Sequence, residues 1–337
     1  MKKLLFIVNP KAGKTAIRYD LFDIIMIFSK AGYEVVMHPT TDPGDAERTV
    51  IAEGGNYDMV VCAGGDGTLE NTVCGYMKMG EHKPPLGYIP VGTTNDMARS
   101  LNISRKPYVA AHQIVEGKLK HIDVGQFDDK YFVYIAAFGV FTDISYSTDQ
   151  SLKKVMGHSA YILQAIKNIT NFKSYYIEAQ LDDSLITGEY IFGMITNSFS
   201  VAGFKIRGTK NVMLDDGKFD CMFIRKPQNV SEFQKTISSI LTNNIYDIDE
   251  NELFFTAKAS KVTIKSSEPI AWTLDGEYGG DKESVTILNH KQQIGIYLNT
   301  DYELYNEEGD ETAATEEYIN EINAASEEIL PETEDIE

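Results

Sequence analysis

Up to residue 122 the chain alternates short, almost unbroken apolar runs with stretches whose apolar side chains recur every three or four positions. The runs at 4–8 (LLFIV), 33–39 (YEVVMHP), 58–63 (DMVVCA) and 85–90 (PLGYIP) are predicted strands, continuously apolar as parallel strands covered on both faces must be. Between the first two, Ile17, Leu21, Ile24, Ile25 and Phe28 form a helical stripe, and further helices are predicted to begin near Asp45, Thr68 and Thr94. Alternation of this kind builds an open α/β sheet.

After Asp123 the texture changes. VGQFDDKYFVYIAAFG, YIEAQLDD, EYIFGMITNS, FDCMFIR, ELFFTAKASKVTIKS, PIAWTLDGEYGG and SVTILNHKQQIGIYL are rich in β-branched and aromatic residues, with turn signals between them. Helical patterns return only at 151–169 and 230–243. A second, mainly antiparallel domain over 123–297, a β-sandwich, is expected.

Composition narrows the function classes. No run approaches the roughly 18 apolar residues of a membrane span, and the apolar run after Met1 ends at Asn9-Pro10, too soon for a secretory leader. Cys62, Cys74 and Cys221 are far apart and form no CxxC pair, which suggests neither a disulfide framework nor a zinc site and points to a cytoplasmic protein. The formal net charge of −19 is concentrated beyond residue 300, where fifteen Asp or Glu stand with no Lys or Arg. The preceding 300 residues carry 35 acids against 31 bases, so nothing supports nucleic acid as a partner. Within the acidic segment Tyr318, Ile319, Ile322, Ala325 and Ile329 fall at helical intervals, as for a docked amphipathic helix or a tail that repels anionic lipid.

Ligands of open α/β sheets bind beyond the carboxyl ends of the strands. There the chain reads NPKAGKT, TTDPGDA, GGDGTLEN and VGTTND, each offering Gly, Thr, Asn or Asp where a helix is about to begin. Glycines let the backbone approach a phosphate, and free amides at a helix start attract it. A P-loop would need glycine at Val8, and the dinucleotide fingerprint would need one at Glu70, so neither motif is present. Farther on, WTLDGEYGG sets Asp275 and Glu277 two apart around Gly276. If extended, that spacing puts both carboxylates on one side of the chain, as an acid pair for phosphoryl transfer would require; a surface turn is the alternative. NVMLDDGKFD carries Asp215 and Asp216 at a turn that joins strands or holds a hard cation.

Together NPKAGK at 9–14, GGDGTLE at 64–70, IPVGTTNDMAR at 89–99, LDDGKFD at 214–220 and LDGEYGG at 274–280 resemble the diacylglycerol kinase catalytic-domain family, in particular its bacterial lipid kinases. GGDGT alone also occurs in NAD kinases and phosphofructokinases; its combination with GTTND and a distal DGE is specific. The resemblance implies two domains: an N-terminal open α/β nucleotide-binding domain, NAD kinase- or phosphofructokinase-like, over 1–122 plus about 298–330, and the C-terminal β-sandwich over 123–297, with 331–337 as an acidic tail. It implies ATP contacts from Asn9, Pro10, Lys11, Ala12 and Gly13, from Thr40, from Gly64, Gly65, Asp66, Gly67, Thr68, Leu69, Glu70 and Asn71, and from Thr93 and Asn95. Asp275, Glu277 and Asp66 would be catalytic. A structural Mg2+ would sit on Asp216 with the carbonyls of Met213 and Lys218, and a second Mg2+ would arrive with ATP and meet Asp66. One departure stands out: the family usually reads GGDGTLNE, whereas Glu70 here precedes Asn71, an exchange that moves the carboxylate by roughly 100° around a helix.

The implied activity is transfer of the ATP γ-phosphate to the primary hydroxyl of diacylglycerol, giving phosphatidic acid. The alternatives are a sphingoid base, ceramide or another lipid alcohol as acceptor, a NAD kinase, or a non-catalytic nucleotide- or lipid-binding regulator. The expected partners are ATP and a membrane lipid reached by peripheral contact with the inner membrane face, with a homodimer as a further option. Lys153, Lys154 and Lys167, beside Val155, Met156, Ile162 and Leu163, are one candidate for that contact, or else line an ordinary packed helix. The six histidines show no ligand spacing.

Overall fold

The computed structural model describes residues 1–13, 17–80, 82–140, 173–198, 213–229 and 253–299, together with 200–201, 204–205, 232 and 235–236. Four parallel strands, β1 (Lys2–Val8), β2 (Tyr33–Pro39), β3 (Met59–Gly64) and β4 (Leu86–Pro90), stand in the order β4-β3-β1-β2. Helices α1 (Ile17–Lys30), α2 (Asp45–Glu53), α3 (Asp66–Lys78), α4 (Asp96–Ser100) and α5 (Pro107–Glu116) connect and cover them. β3 and β4 are buried along their whole length, as their unbroken apolar runs require, whereas the edge strand β2 alternates between half-buried and exposed positions. From β1 the chain moves to β2 on one side and to β3 on the other. The crevice beyond β1 and β3 is therefore the topological switch point, and NPKAG and GGDG flank it.

The rest is strand-rich: β5 (Lys118–Phe127), β6 (Lys130–Phe132), β7 (Ile135–Gly139), β8 (Tyr175–Leu181), β9 (Ser184–Thr196), the short pair β10 (Ser200–Val201) and β11 (Phe204–Lys205), β12 (Phe219–Arg225), β13 (Phe254–Ala259), β14 (Lys261–Leu274) and β15 (Glu277–Leu298). Two long strands make the layers. The first halves of β9 and β14 both pair with β8, and their second halves both pair with β7, so each strand bends from one layer into the other. Between the layers lie Phe127, Phe138, Tyr190, Phe223 and Trp272, all fully buried. Trp272 meets Phe127 and Phe138 edge-on at 5.0 and 4.9 Å.

The two halves share one sheet. β15 pairs with β14 and β5 and then, through Ile296 and Leu86, with β4, which joins both halves in one 13-stranded sheet. A 22-residue strand is long enough to serve both cores, and a bulge between His290 and Ile294, with Gln292 at φ +54°, bends it where they meet. The buried side chains fall into two clusters that interleave along the chain: one joins the α/β half to residues such as Ile135, Met194 and Ile294 of the later strands, and the other lies wholly among the later strands. The helical patterns at 151–169, with Lys153 and Lys154, and at 301–337 lie outside the described residues, as does 230–243 apart from three positions. Among the described residues no helix is long and apolar enough to cross a membrane.

Phe138 packs on Trp272, Tyr175 and Phe223 with no exposed surface. Phe138→Ala is expected to cost about 3–5 kcal/mol, read by urea unfolding followed through the emission of Trp272, the only tryptophan of the chain.

Candidate active site

The loops beyond β1, β3 and β4 are bound to one another before any ligand arrives. The Asn9 amide donates to the Ala63 carbonyl (2.9 Å), and its side chain spans two loops: Nδ2 donates to Thr68 Oγ1 and Oδ1 accepts from the Lys11 amide, both at 2.9 Å. Asn95 is buried, at φ +52°, and exchanges two hydrogen bonds of 2.9 Å with the Gly92 main chain. Both side chains, expected to contact ATP, are thus occupied in shaping the loops. Close approach accounts for two of the glycines: a Cβ on Gly13, at φ +59°, would lie 2.1 Å from the Val91 carbonyl oxygen, and one on Gly92 would lie 2.5 Å from Gly65 Cα.

α3 begins at Asp66 with no side-chain cap on Gly65, which leaves its first amides to a ligand, the arrangement of an anion site. Thr93 is exposed beside this opening, with Arg105 Nη2 holding its carbonyl at 2.9 Å, and Pro10, Lys11 and Ala12 form the turn on the β1 side. The half-buried Thr40 donates its amide to Val8 (2.8 Å). The loop after it is fixed by Asp45, whose carboxylate accepts from the Thr41 amide at 2.8 Å and is held below the usual carboxylate range chiefly by that bond.

The DGE segment is a hairpin turn. Asp275 and Gly276 have φ of +48° and +89° and connect Leu274 of β14 to its partner Glu277 at the start of β15. This Asp-Gly pair at left-handed φ is a two-residue turn that matches sheet twist; of the two readings left open, the turn holds and the chain here is not extended. The side chain of Asp275 turns inward and is 5% exposed, while Glu277 is exposed. Asp275 accepts from three successive amides, those of Val133 (2.5 Å), Tyr134 (2.9 Å) and Ile135 (2.9 Å).

Acids from both halves of the chain share this cleft. Burial pushes Glu70 up to about 8, helped by the charges of Asp275 and Glu277 and opposed by Lys130. Burial pushes Asp275 to about 7 against the pull of its three amides, and the charge of Asp66 adds to the rise. Asp66 is also raised, by burial and by Asp96, although α4 amides including that of Met97 oppose the shift. The exchanged pair now has a place: Glu70 joins the hairpin acids, while Asn71 donates to the Gly67 carbonyl (2.8 Å) and sits beside Gly44. Tyr134 lies among Asp275, Asp66, Asp96 and Glu70, and burial and those charges hold its phenol far above the usual range. Motif reading gave no role to Tyr134, to Lys130 or to Asp96 of the GTTND motif; a tyrosine in an apolar run of sequence carries no local signal of a site.

The LDDG turn is a separate arrangement. Asp123, fully buried, accepts from the Gly217 amide (2.7 Å) and the Gln292 amide (2.8 Å), and its own amide donates to Leu214 (2.7 Å). Asp216 accepts from the Lys218 amide (2.9 Å), and Lys258 Nζ lies 3.3 Å from Asp216 and 3.4 Å from Asp220. Met213 is half exposed at the edge of the turn. Among the described residues no three His, Cys, Asp or Glu side chains form a metal-binding group.

The raised carboxyls fix a sign. Glu70 ordinarily titrates near 4.5 and Asp275 near 3.8, so between those values and about 8 and 7 the folded chain holds protons that the unfolded chain has released. Without nucleotide or divalent cation, stability is therefore expected to fall as pH rises from 5 to 8. Glu70→Gln should flatten that slope and raise the melting temperature at pH 8 by a few degrees, on the order of 1–2 °C per kcal/mol for 337 residues. An unchanged slope in calorimetry would place Glu70 away from the other acids.

Known proteins resemble this chain in sequence and in fold. The diacylglycerol kinase catalytic domain family matches residues 3–127. The diacylglycerol kinase of Bacillus subtilis (strain 168) is 35% identical over 294 residues, 86% of this chain and 95% of that protein, and one from Staphylococcus epidermidis is 32% identical over 311 residues, 91% and 95%. Among solved structures, a putative diacylglycerol kinase from Bacillus anthracis superposes with a TM-score of 0.76 at 24% identity, covering 89% of this chain and 96% of that one. An NAD kinase from Archaeoglobus fulgidus in complex with ATP reaches 0.50 at 12% identity, covering 88% and 94%, a likeness of fold. With a third of its residues shared over nearly the full length of those relatives, the chain belongs to the diacylglycerol kinase family.

Proposed function

We propose that the protein is an ATP-dependent lipid kinase that transfers the γ-phosphate to the primary hydroxyl of diacylglycerol and releases phosphatidic acid. The observation that carries this reading is the meeting of the uncapped start of α3 with the acids of the Asp275-Gly276 hairpin. Phosphoryl transfer needs little covalent chemistry from a protein; positioning and charge neutralisation do most of it. The first amides of α3 and the turn from Pro10 to Gly13 receive the phosphates, with Thr40, Thr93 and Leu69 bounding the site.

Glu277 is the general base: it is exposed at the mouth of the hairpin, whereas three lone-pair positions of Asp275 are taken by amides. Asp275 then fixes the hairpin and keeps negative charge behind the base. The cleft is rich in carboxylates, and the raised Asp66 beside Asp96 is suited to a cation that relieves their repulsion. Asp66 would hold the Mg2+ that accompanies ATP, which when bound neutralises phosphate charge. The oxygen donors of Asp216, Met213 and Lys218 are of the type a hard cation takes, and a structural Mg2+ there would share Asp216 with Lys258.

The purified chain should phosphorylate diacylglycerol in mixed micelles with radiolabelled ATP and Mg2+. Asp275→Asn with Glu277→Gln should reduce turnover by about 100-fold or more. Wild-type rates in the double variant would remove the base assignment, and turnover of only sphingoid bases, ceramide or NAD would replace diacylglycerol as acceptor.

A further inference from the structure

Tyr134 stands in the connection between β6 and β7, and its main chain is held on two sides. The amide donates to Asp275 Oδ1 (2.9 Å); the carbonyl accepts from Thr196 Oγ1 (2.6 Å) and from the Asn197 amide (2.9 Å). The residue is 6% exposed, so the ring is confined. Its hydroxyl lies 4.0 Å from where a Cβ on Gly276 would be, over the turn that separates Asp275 from Glu277. Among the described residues every hydrogen bond of Tyr134 is made by its main chain.

A phenol placed among carboxylates would ordinarily donate to one of them; this hydroxyl does not, and it is not among the buried polar atoms cut off from any partner, so it stays open to a group entering the cleft. Here four acids act on it and none accepts from it. The cleft must also admit a triphosphate, which those acids repel. A lysine in this position would be neutralised by its neighbours, whereas an uncharged O–H remains a donor whatever the charge around it. We propose that the Tyr134 hydroxyl is a catalytic residue of the kinase reaction, the donor that holds an oxygen of the transferring phosphoryl group. The proposal rests on the kinase reading above. In the step, the acceptor's hydroxyl proton passes to the Glu277 carboxylate and its oxygen bonds to the γ-phosphorus. The bond from that phosphorus to the β,γ-bridging oxygen breaks, and ADP leaves with the electron pair. Tyr134 keeps its proton throughout and stabilises charge that grows on the equatorial oxygens.

The test is steady-state kinetics of the full chain with ATP, Mg2+ and dioleoylglycerol micelles. Tyr134→Phe should lower kcat by about 100- to 1,000-fold, the loss typical of one donor to a developing charge, with both KM values within about twofold. Replacement of Tyr134 by 3-fluorotyrosine keeps both the packing and the O–H, and should retain most of the activity. Equal kcat in wild type and Tyr134→Phe would overturn the assignment. So would a loss confined to the lipid KM, which would make the hydroxyl an acceptor-binding group, or an equal loss in both variants, which would make the effect one of packing. An inactive wild type would count against the kinase reading instead.

Discussion

A single buried carboxylate organises the cleft. Asp275 has almost no contact with solvent, and three successive amides of residues 133–135 replace its water. Its own amide returns a bond to the Ile135 carbonyl at 2.9 Å. This clasp joins positions up to 142 apart in the chain and holds the β14–β15 turn against the β6–β7 connection. Glu277 owes its exposure, and Tyr134 its place over Gly276, to that one contact. The amides do not fully offset the loss of hydration, and the carboxyl remains raised, to about 7.

Around it the chain gathers more negative charge than it neutralises. Glu70 and Asp66 come from the α/β half and Asp275 and Glu277 from the strand-rich half, with Lys130 as the cation opposing them at Glu70, and Lys130 also donates to the Gly279 carbonyl (2.8 Å). Such an arrangement destabilises the ligand-free state and favours whatever brings positive charge into the cleft, a common relation between stability and function at active sites. The neutral amide side chains nearby do the opposite work. Asn9 and Asn95 bind main chain, fix the loops and leave the free helix amides to meet an anion.

The joint between the halves is built for continuity. β15 runs from the acid hairpin through the bulge at Gln292 to its pairing with β4, so one strand touches both the catalytic turn and the nucleotide-side sheet. Asp123 reinforces the bend: its carboxylate gathers the amides of Gly217 and Gln292, and its carbonyl accepts from Asn197 Nδ2 at 3.2 Å. Two cores joined by one continuous ladder resist independent rotation more than two sheets joined by loops would.

Much of this is local and could be read along the chain. Apolar runs of strand length, the helical stripe from Ile17 to Phe28 and the glycine loops at the strand ends depend on neighbours a few residues away, and each appears where the pattern put it. Family motifs pointed to the loops that lie at the ends of β1, β3 and β4 and to the turn between β14 and β15. Side-chain direction was not legible. Whether Asp275 and Glu277 share a face depends on left-handed φ in the turn, whether Asn9 meets a ligand or Thr68 depends on how β1 and β3 align, and the bridging role of β15 depends on its single pairing with β4. Tyr134 looked like one more aromatic in a strand. Its character comes from four acids delivered by three distant segments, and electrostatic surroundings arise from packing in three dimensions, which no spacing along one dimension encodes.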